Sequence, residues 1–179
     1  VVRLLLLLLW APIASAADGW KDRPPEAQYE YGVRLLKRGY DDRALEVFSH
    51  LRNFHRDDPI SLRAELAVAD VLFEQREYEQ ARLAYEDFAR LHPRSPELDY
   101  VVFRTGLSVF KRASRIAARD QSATTQALSI WTGFERRFPG SEHLPELAEL
   151  EAKARDKLAA KELHIARYYA REGSWTAVR

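Results

Sequence analysis

The side chains with the widest chemical range in this chain are five histidines, His50, His55, His92, His143 and His164. A zinc hydrolase needs two imidazoles one helical turn apart with a carboxylate beside them, so that the ligands converge on one helix face. None of the five pairs with another His, Asp or Glu at a spacing of that kind, and all are read as surface residues or as packing between helices. Cysteine is absent, which removes disulfides, thiolate nucleophiles and thiolate metal sites. There is no GxSxG turn to raise a serine nucleophile, no phosphate loop and no glycine-rich turn opening a helix. The acidic residues fall into helical charge patterns of the kind that face solvent. No cofactor and no metal is expected, and the chain is read as no enzyme. The chemistry left is recognition.

Two sets of side chains suit recognition. Lys111, Arg112, Arg115 and Arg119 form a basic cluster. It is either a docking patch for an acidic partner or lipid headgroups, or a solvated helix end whose cations sit well against the negative pole of the dipole; the second reading is preferred. The other set is Tyr29, Val33, Lys37, Arg63, Asp70, Phe73, Tyr100 and Phe103. These occupy first-helix positions that line the concave face of stacked helical hairpins. If that face is open, its mixture of rings and charges suits an extended peptide. If the array is compact, the same residues are buried, and the sequence leaves both readings standing.

The elements that position these residues are repeats. The clearest runs from Leu62 to Pro93, where Ala69, Tyr78, Ala81, Tyr85, Phe88 and Pro93 follow the phasing of the tetratricopeptide repeat, a helix–turn–helix unit of about 34 residues. Small residues at Ala69 and Ala81 let two antiparallel helices approach to roughly 8–10 Å. Rings at Tyr85 and Phe88 fill the groove toward the next unit, and Pro93 ends the second helix. Thirty-seven residues earlier the pattern recurs as Gly32, Ala44 and Phe48, with Gly39 in the turn and Asp41 and Asp42 placed to cap the second helix. Asp58-Pro59 reads as cap and first helical residue of the next unit, and Ser95-Pro96 as the same pair for the third. In the third unit Tyr100, Phe103, Leu107 and Phe110 share one helix face, and Gly106 takes the small position. About nine extra residues within Ala113 to Thr124 precede a second helix carrying Ala127, Trp131 and Phe134, stopped by Pro139-Gly140. A long helix over His143 to Arg171 follows, with Leu147, Leu150, Ala154, Leu158 and Ile165 as its buried stripe. Gly173 then repeats the part of Gly39, and Trp175 opens another helix that Arg179 cuts short.

The expected fold is therefore all-α, a tetratricopeptide solenoid of antiparallel helix pairs over residues 25–179, with repeats at about 25–59, 60–95, 96–140 and an incomplete 141–179. Residues 17–24 read as a linker. Residues 1–16 read as a signal peptide: Arg3 gives a positive start, Leu4 to Trp10 the apolar run, and Ala14-Ser15-Ala16 the small-residue cleavage site. The run is shorter than the about 20 residues a membrane span needs. Export with no cysteine points to a bacterial periplasm. A net charge of +1 argues against nucleic acid, or an anionic membrane, held by bulk electrostatics. Methionine is absent even at position 1, so either the start codon is read literally as valine or the chain is a fragment; separately, the half-built last repeat reads as truncation at the C-terminus.

Three segments carry a resemblance. Pro96-Glu97-Leu98-Asp99-Tyr100-Val101-Val102-Phe103 with Gly106-Leu107 resembles the third-repeat entry of the BamD family of outer-membrane β-barrel assembly lipoproteins. Arg119-Asp120 ahead of the Ala127 helix, with Phe138-Pro139-Gly140-Ser141, and then Ala166-Arg167-Tyr168-Tyr169-Ala170-Arg171-Glu172-Gly173-Ser174-Trp175 fit the same family. The resemblance implies a periplasmic scaffold, peripheral to the outer membrane. Its partners would be the barrel insertase, the accessory lipoproteins and unfolded outer-membrane protein segments, with substrate engaged by the N-terminal repeats and the insertase docked by the C-terminal ones. The family carries a lipidated cysteine after its signal and this chain has none, so attachment through partners is expected. The alternative is a different periplasmic tetratricopeptide adapter, coordinating envelope constriction, Tol-Pal or cell-wall work.

Overall fold

Eight helical segments follow one another in the computed structural model, which describes residues 19–116 and 118–173. They are α1 (Pro25–Lys37), α2 (Asp41–Phe54), α3 (Pro59–Glu74), α4 (Tyr78–Leu91), α5 (Leu98–Arg112), α6 (Ser122–Trp131), α7 (Phe134–Arg137) and α8 (Leu144–Arg171). There is no strand among the described residues. Each helix from α1 to α5 packs on the next, α8 packs on α6, and α1 also reaches α3. This is the all-α stack of antiparallel pairs that the repeat phasing predicts. The residues read as a signal peptide, and Trp175, lie outside the described residues.

The helix crossings are set by the small residues. Ala44, Ala69, Ala81 and Ala127 are fully buried. A Cβ added to Gly32 would lie 2.7 Å from the Phe48 ring, and one added to Gly106 would lie 2.2 Å from Trp131 Nε1. Both are closer than any side chain tolerates, so glycine is what lets each ring reach the opposite helix. Two apolar cores result, one around Phe48, Leu51, Ala64 and Val71, the other around Tyr85, Phe88, Trp131 and Phe134. Gly39 turns the chain at φ +74°, and Arg76, thirty-seven residues on, holds the same left-handed turn at φ 64° without being glycine.

The helix ends depart from the sequence reading in four places. Asp58 caps α3 as expected, its Oδ1 accepting from Ile60 N–H at 2.9 Å. Asp41 and Asp42, however, lie inside the first turn of α2, whose N-cap is Tyr40 with no side-chain cap bond. Asp42 instead accepts from Gln75 Nε2 at 2.7 Å, tying the inter-helix turns of two successive repeats together. Ser95 closes a turn ahead of α5, its Oγ accepting from Glu97 N–H at 3.2 Å, and the helix begins only at Leu98. The second helix of the third unit is broken, because Gly133 at φ +74° leaves helical space and α7 restarts at Phe134. The buried stripe of α8 stops at Ala154. Leu158 is half-buried and Ile165 is 36% exposed, because α8 has 28 residues, its main helix partner among the described residues, α6, has 10, and the second half outruns it.

Two unforeseen pieces brace the stack. Trp20, in the segment read as a linker, is buried against Tyr31 and stands edge-on to His50 at 5.2 Å. Gln28 straps this segment down by donating from Nε2 to the carbonyls of Lys21 and Arg23 at 3.0 and 2.8 Å. In the long α5–α6 connection, buried Gln121 donates to the carbonyls of Ser114 and Ile116 and accepts from Thr124 Oγ1. A polar side chain so bonded is tolerated inside and fixes the loop around it.

Candidate functional site

The first helices of the hairpins, α1, α3 and α5, carry the eight groove residues expected from the sequence. Four of them converge. Asp70 on α3 takes a hydroxyl hydrogen bond from Tyr85 on α4 and another from Tyr100 on α5, both at 2.6 Å and both on Oδ1. Arg104, one turn beyond Tyr100, donates from Nε to the Tyr85 hydroxyl at 3.0 Å and reaches Asp70 at 3.8 Å and Glu74 at 3.5 Å. Its guanidinium lies 3.8 Å over the Phe73 ring. Phe103 is buried beside this centre, with the His143 imidazole stacked on it at 4.8 Å. Charge on a guanidinium held over a ring face is stabilised by the ring quadrupole, more so when water is partly excluded.

Burial shapes the proton affinities here. It pushes the Asp70 carboxyl above the ordinary aspartate value, although the hydroxyls of Tyr100 and Tyr85 and the charge of Arg104 pull the other way. Burial, reinforced by the Asp70 charge, drives Tyr85 and Tyr100 far above the usual phenol range, so both stay protonated donors. This centre is a pinned hydrogen-bond cluster with one cationic, ring-backed edge. No group of three or more His, Cys, Asp and Glu side chains among the described residues is placed to hold a metal.

A second, smaller centre sits one repeat earlier. Arg63 lies 4.2 Å over the Tyr29 ring and donates to both carboxylate oxygens of Glu26 at 2.9 and 3.1 Å. Tyr29 in turn packs on Phe48. Val33 is half-buried toward the first core, and Lys37 is exposed in the last turn of α1. The structure thus brings together Asp70, Phe73, Tyr100 and Phe103, separately pairs Tyr29 with Arg63, and places Val33 and Lys37 in neither centre. Phe73 and Phe103 are buried, so they back the face without lining it.

The sequence profile of the family described as YfiO, outer membrane lipoprotein, matches residues 21–179. The chain belongs to that family. Among similar proteins, one named outer membrane protein assembly factor BamD, from Neisseria gonorrhoeae, is 25% identical over 92% of this chain and 68% of its own length. Proteins of the same name from Caulobacter vibrioides and Haemophilus influenzae are 27% and 26% identical, over 88% and 98% of this chain and 52% and 71% of their own lengths.

For this YfiO-family chain, three groups that complete the two centres escaped the sequence reading. Arg104 carried a usable signal, since it stands four residues after Tyr100 on the same helix face. Tyr85 reads as a core ring in the repeat phase, which carries no signal for its hydroxyl. Glu26 pairs with Arg63 across thirty-seven residues, a spacing at which the repeat period itself brings α1 and α3 side by side.

Of the histidines, His164 is exposed on α8 and the others pack against neighbours. His143 stacks on Phe103, His50 meets Trp20 and Phe54, and His92 pairs with Glu65 at 2.9 Å where α4 ends. Of the basic cluster, Arg112 pairs with Glu79, and Lys111, Arg115 and Arg119 are exposed.

Proposed function

We propose that the two guanidinium–ring centres on α1, α3 and α5 form the substrate-binding face of a non-enzymatic scaffold for outer-membrane protein assembly. The scaffold works on the periplasmic side of the outer membrane, with the barrel insertase and its accessory lipoproteins as partners. The family relation and the assembly role that its relatives' names state support this, as does a fold whose interior is filled by packing side chains. The observation that carries the binding face is the recurrence of one device, Arg63 over Tyr29 and then Arg104 over Phe73, on successive first helices. An extended segment of an unfolded barrel protein offers rings to stack and backbone carbonyls to accept from guanidinium N–H groups, and both needs are met along this face.

The test is the affinity of a fluorescent peptide from an unfolded barrel strand. Arg63 is the residue to change, because its ion pair with Glu26 is exposed and pairs of that kind contribute only about 0–1 kcal/mol to stability. Arg63→Ala is expected to weaken binding by roughly tenfold, the loss typical of an arginine anchor, with melting little altered. Unchanged affinity would remove this face from substrate binding.

A further inference from the structure

We infer that the cleft between the α5–α6 connection and α8 is an anion site that takes the phosphate of an acidic lipid headgroup. The cleft is lined by Arg115, Gln121, Lys153, Asp156, Lys157 and Ala160. Its base is rigid, since Gln121 bonds Ser114, Ile116 and Thr124. Lys157 leans into it from α8, its ammonium 3.4 Å from the Ser114 carbonyl and 4.8 Å above the Phe110 ring. A neutral carbonyl and a ring face orient an ammonium but leave its charge uncompensated.

Charge is in excess there. Among the described residues no carboxylate lies within ion-pair distance of Arg115 or Lys157, although Asp156 is part of the lining, and Lys153 is drawn off to Glu149 at 3.3 Å. Burial, and then the charge of Arg115, lowers the proton affinity of Lys157. Two cations held together without a counter-ion are what an oxyanion bridges best, an arginine with its planar fork and a lysine as a point charge. The near-zero net charge conceals this site, since it averages the cluster with distant acids.

The headgroup as source rests on the proposed place of this protein at the outer membrane and on what α8 does next. Lys161 stands one turn beyond Lys157 on the same face, and Tyr168 two turns beyond that, 51% exposed. Exposed Tyr169, Arg167 and Arg171 share the helix end. Basic residues leading into exposed tyrosines suit a headgroup layer, where each ring keeps one polar and one apolar contact.

The experiment is co-sedimentation of the full chain with phosphatidylcholine vesicles, with and without phosphatidylglycerol. Binding is expected only when phosphatidylglycerol is present. The double variant Arg115→Gln/Lys157→Gln should weaken it roughly tenfold or more, and the exposed single variant Arg115→Gln severalfold with its melting temperature kept. Arg34→Gln/Arg90→Gln, two cations remote in the chain, should leave binding as it was. An equal loss in that control, equal binding to pure phosphatidylcholine, or a melting shift with inorganic phosphate but no vesicle binding would each overturn the lipid assignment. Peptide affinity read in the same samples separates the two proposals: a failed vesicle arm with intact peptide binding sinks this one alone, and the reverse sinks only the binding face.

Discussion

Single side chains fix the geometry of this stack. Trp131 fills the groove that Gly106 opens, its Nε1 donating to the Phe103 carbonyl at 3.2 Å with the ring fully buried. Trp131→Ala is expected to destabilise by about 3–5 kcal/mol. Gly106→Ala, a change of one methyl, should lose about 1–3 kcal/mol by overpacking. Denaturant midpoints check both, and a wild-type midpoint for either would mean that the ring does not occupy that groove. Asp70 gives a pH prediction whose sign follows from its raised proton affinity. The folded chain holds that proton more tightly than the unfolded chain, so the contribution is fully present below the ordinary aspartate value of 3.8 and is lost as pH rises through the folded value. Wild type should therefore lose stability relative to Asp70→Asn as pH climbs from below 3.8 toward neutrality. The opposite slope in paired pH-dependent melts would show that the tyrosine and arginine donors outweigh burial.

At the scale of elements, Arg76 occupies the left-handed turn position that Gly39 and Gly173 hold elsewhere. A side chain there strains the backbone, so Arg76→Gly should raise stability by up to about 1 kcal/mol. An unmoved or lowered melting temperature would show that the Arg76 side chain makes up for the strain. The helix pairs, their small crossings and their proline stops were legible in the sequence because each needs a particular residue type at a fixed period. The ends were less so. A Ser-Pro or Asp-Asp pair is compatible with several turn geometries; Ser95 settles into a local bond from Glu97 N–H, and Asp42 into one with Gln75 of the next repeat. The break at Gly133 was hidden because one glycine within an apolar period is tolerated in many helices. Trp20 was hidden because a short segment ending in proline shows no periodicity. Of the site, the ring and charge positions were visible in the repeat phase, whereas the hydrogen bonds joining Asp70, Tyr85 and Arg104 depend on three helices meeting and have no signature along the chain.

Across the whole molecule, burial falls from the middle of the stack toward the far end of α8. The two cores span α1 to the first half of α8, and Leu163, Ile165, Tyr168 and Tyr169 beyond them are exposed. Amides from about Glu162 to Arg171 should exchange with solvent far faster than those of α3 to α5, since few buried contacts hold that segment. Hydrogen exchange read by mass spectrometry measures this directly, and equal protection along α8 would point to a partner covering it in solution.

The pairing of Arg63 with Glu26, and of Arg104 with Asp70 and Glu74, has a kinetic consequence. Each guanidinium on the proposed substrate face already has an acid beside it, so the face projects almost no field beyond a Debye length, about 8 Å at physiological ionic strength. An incoming chain is not drawn in from afar. On that proposal it is expected to arrive by unassisted diffusion, at rates nearly indifferent to added salt, and to be discriminated only after contact, by how long it stays.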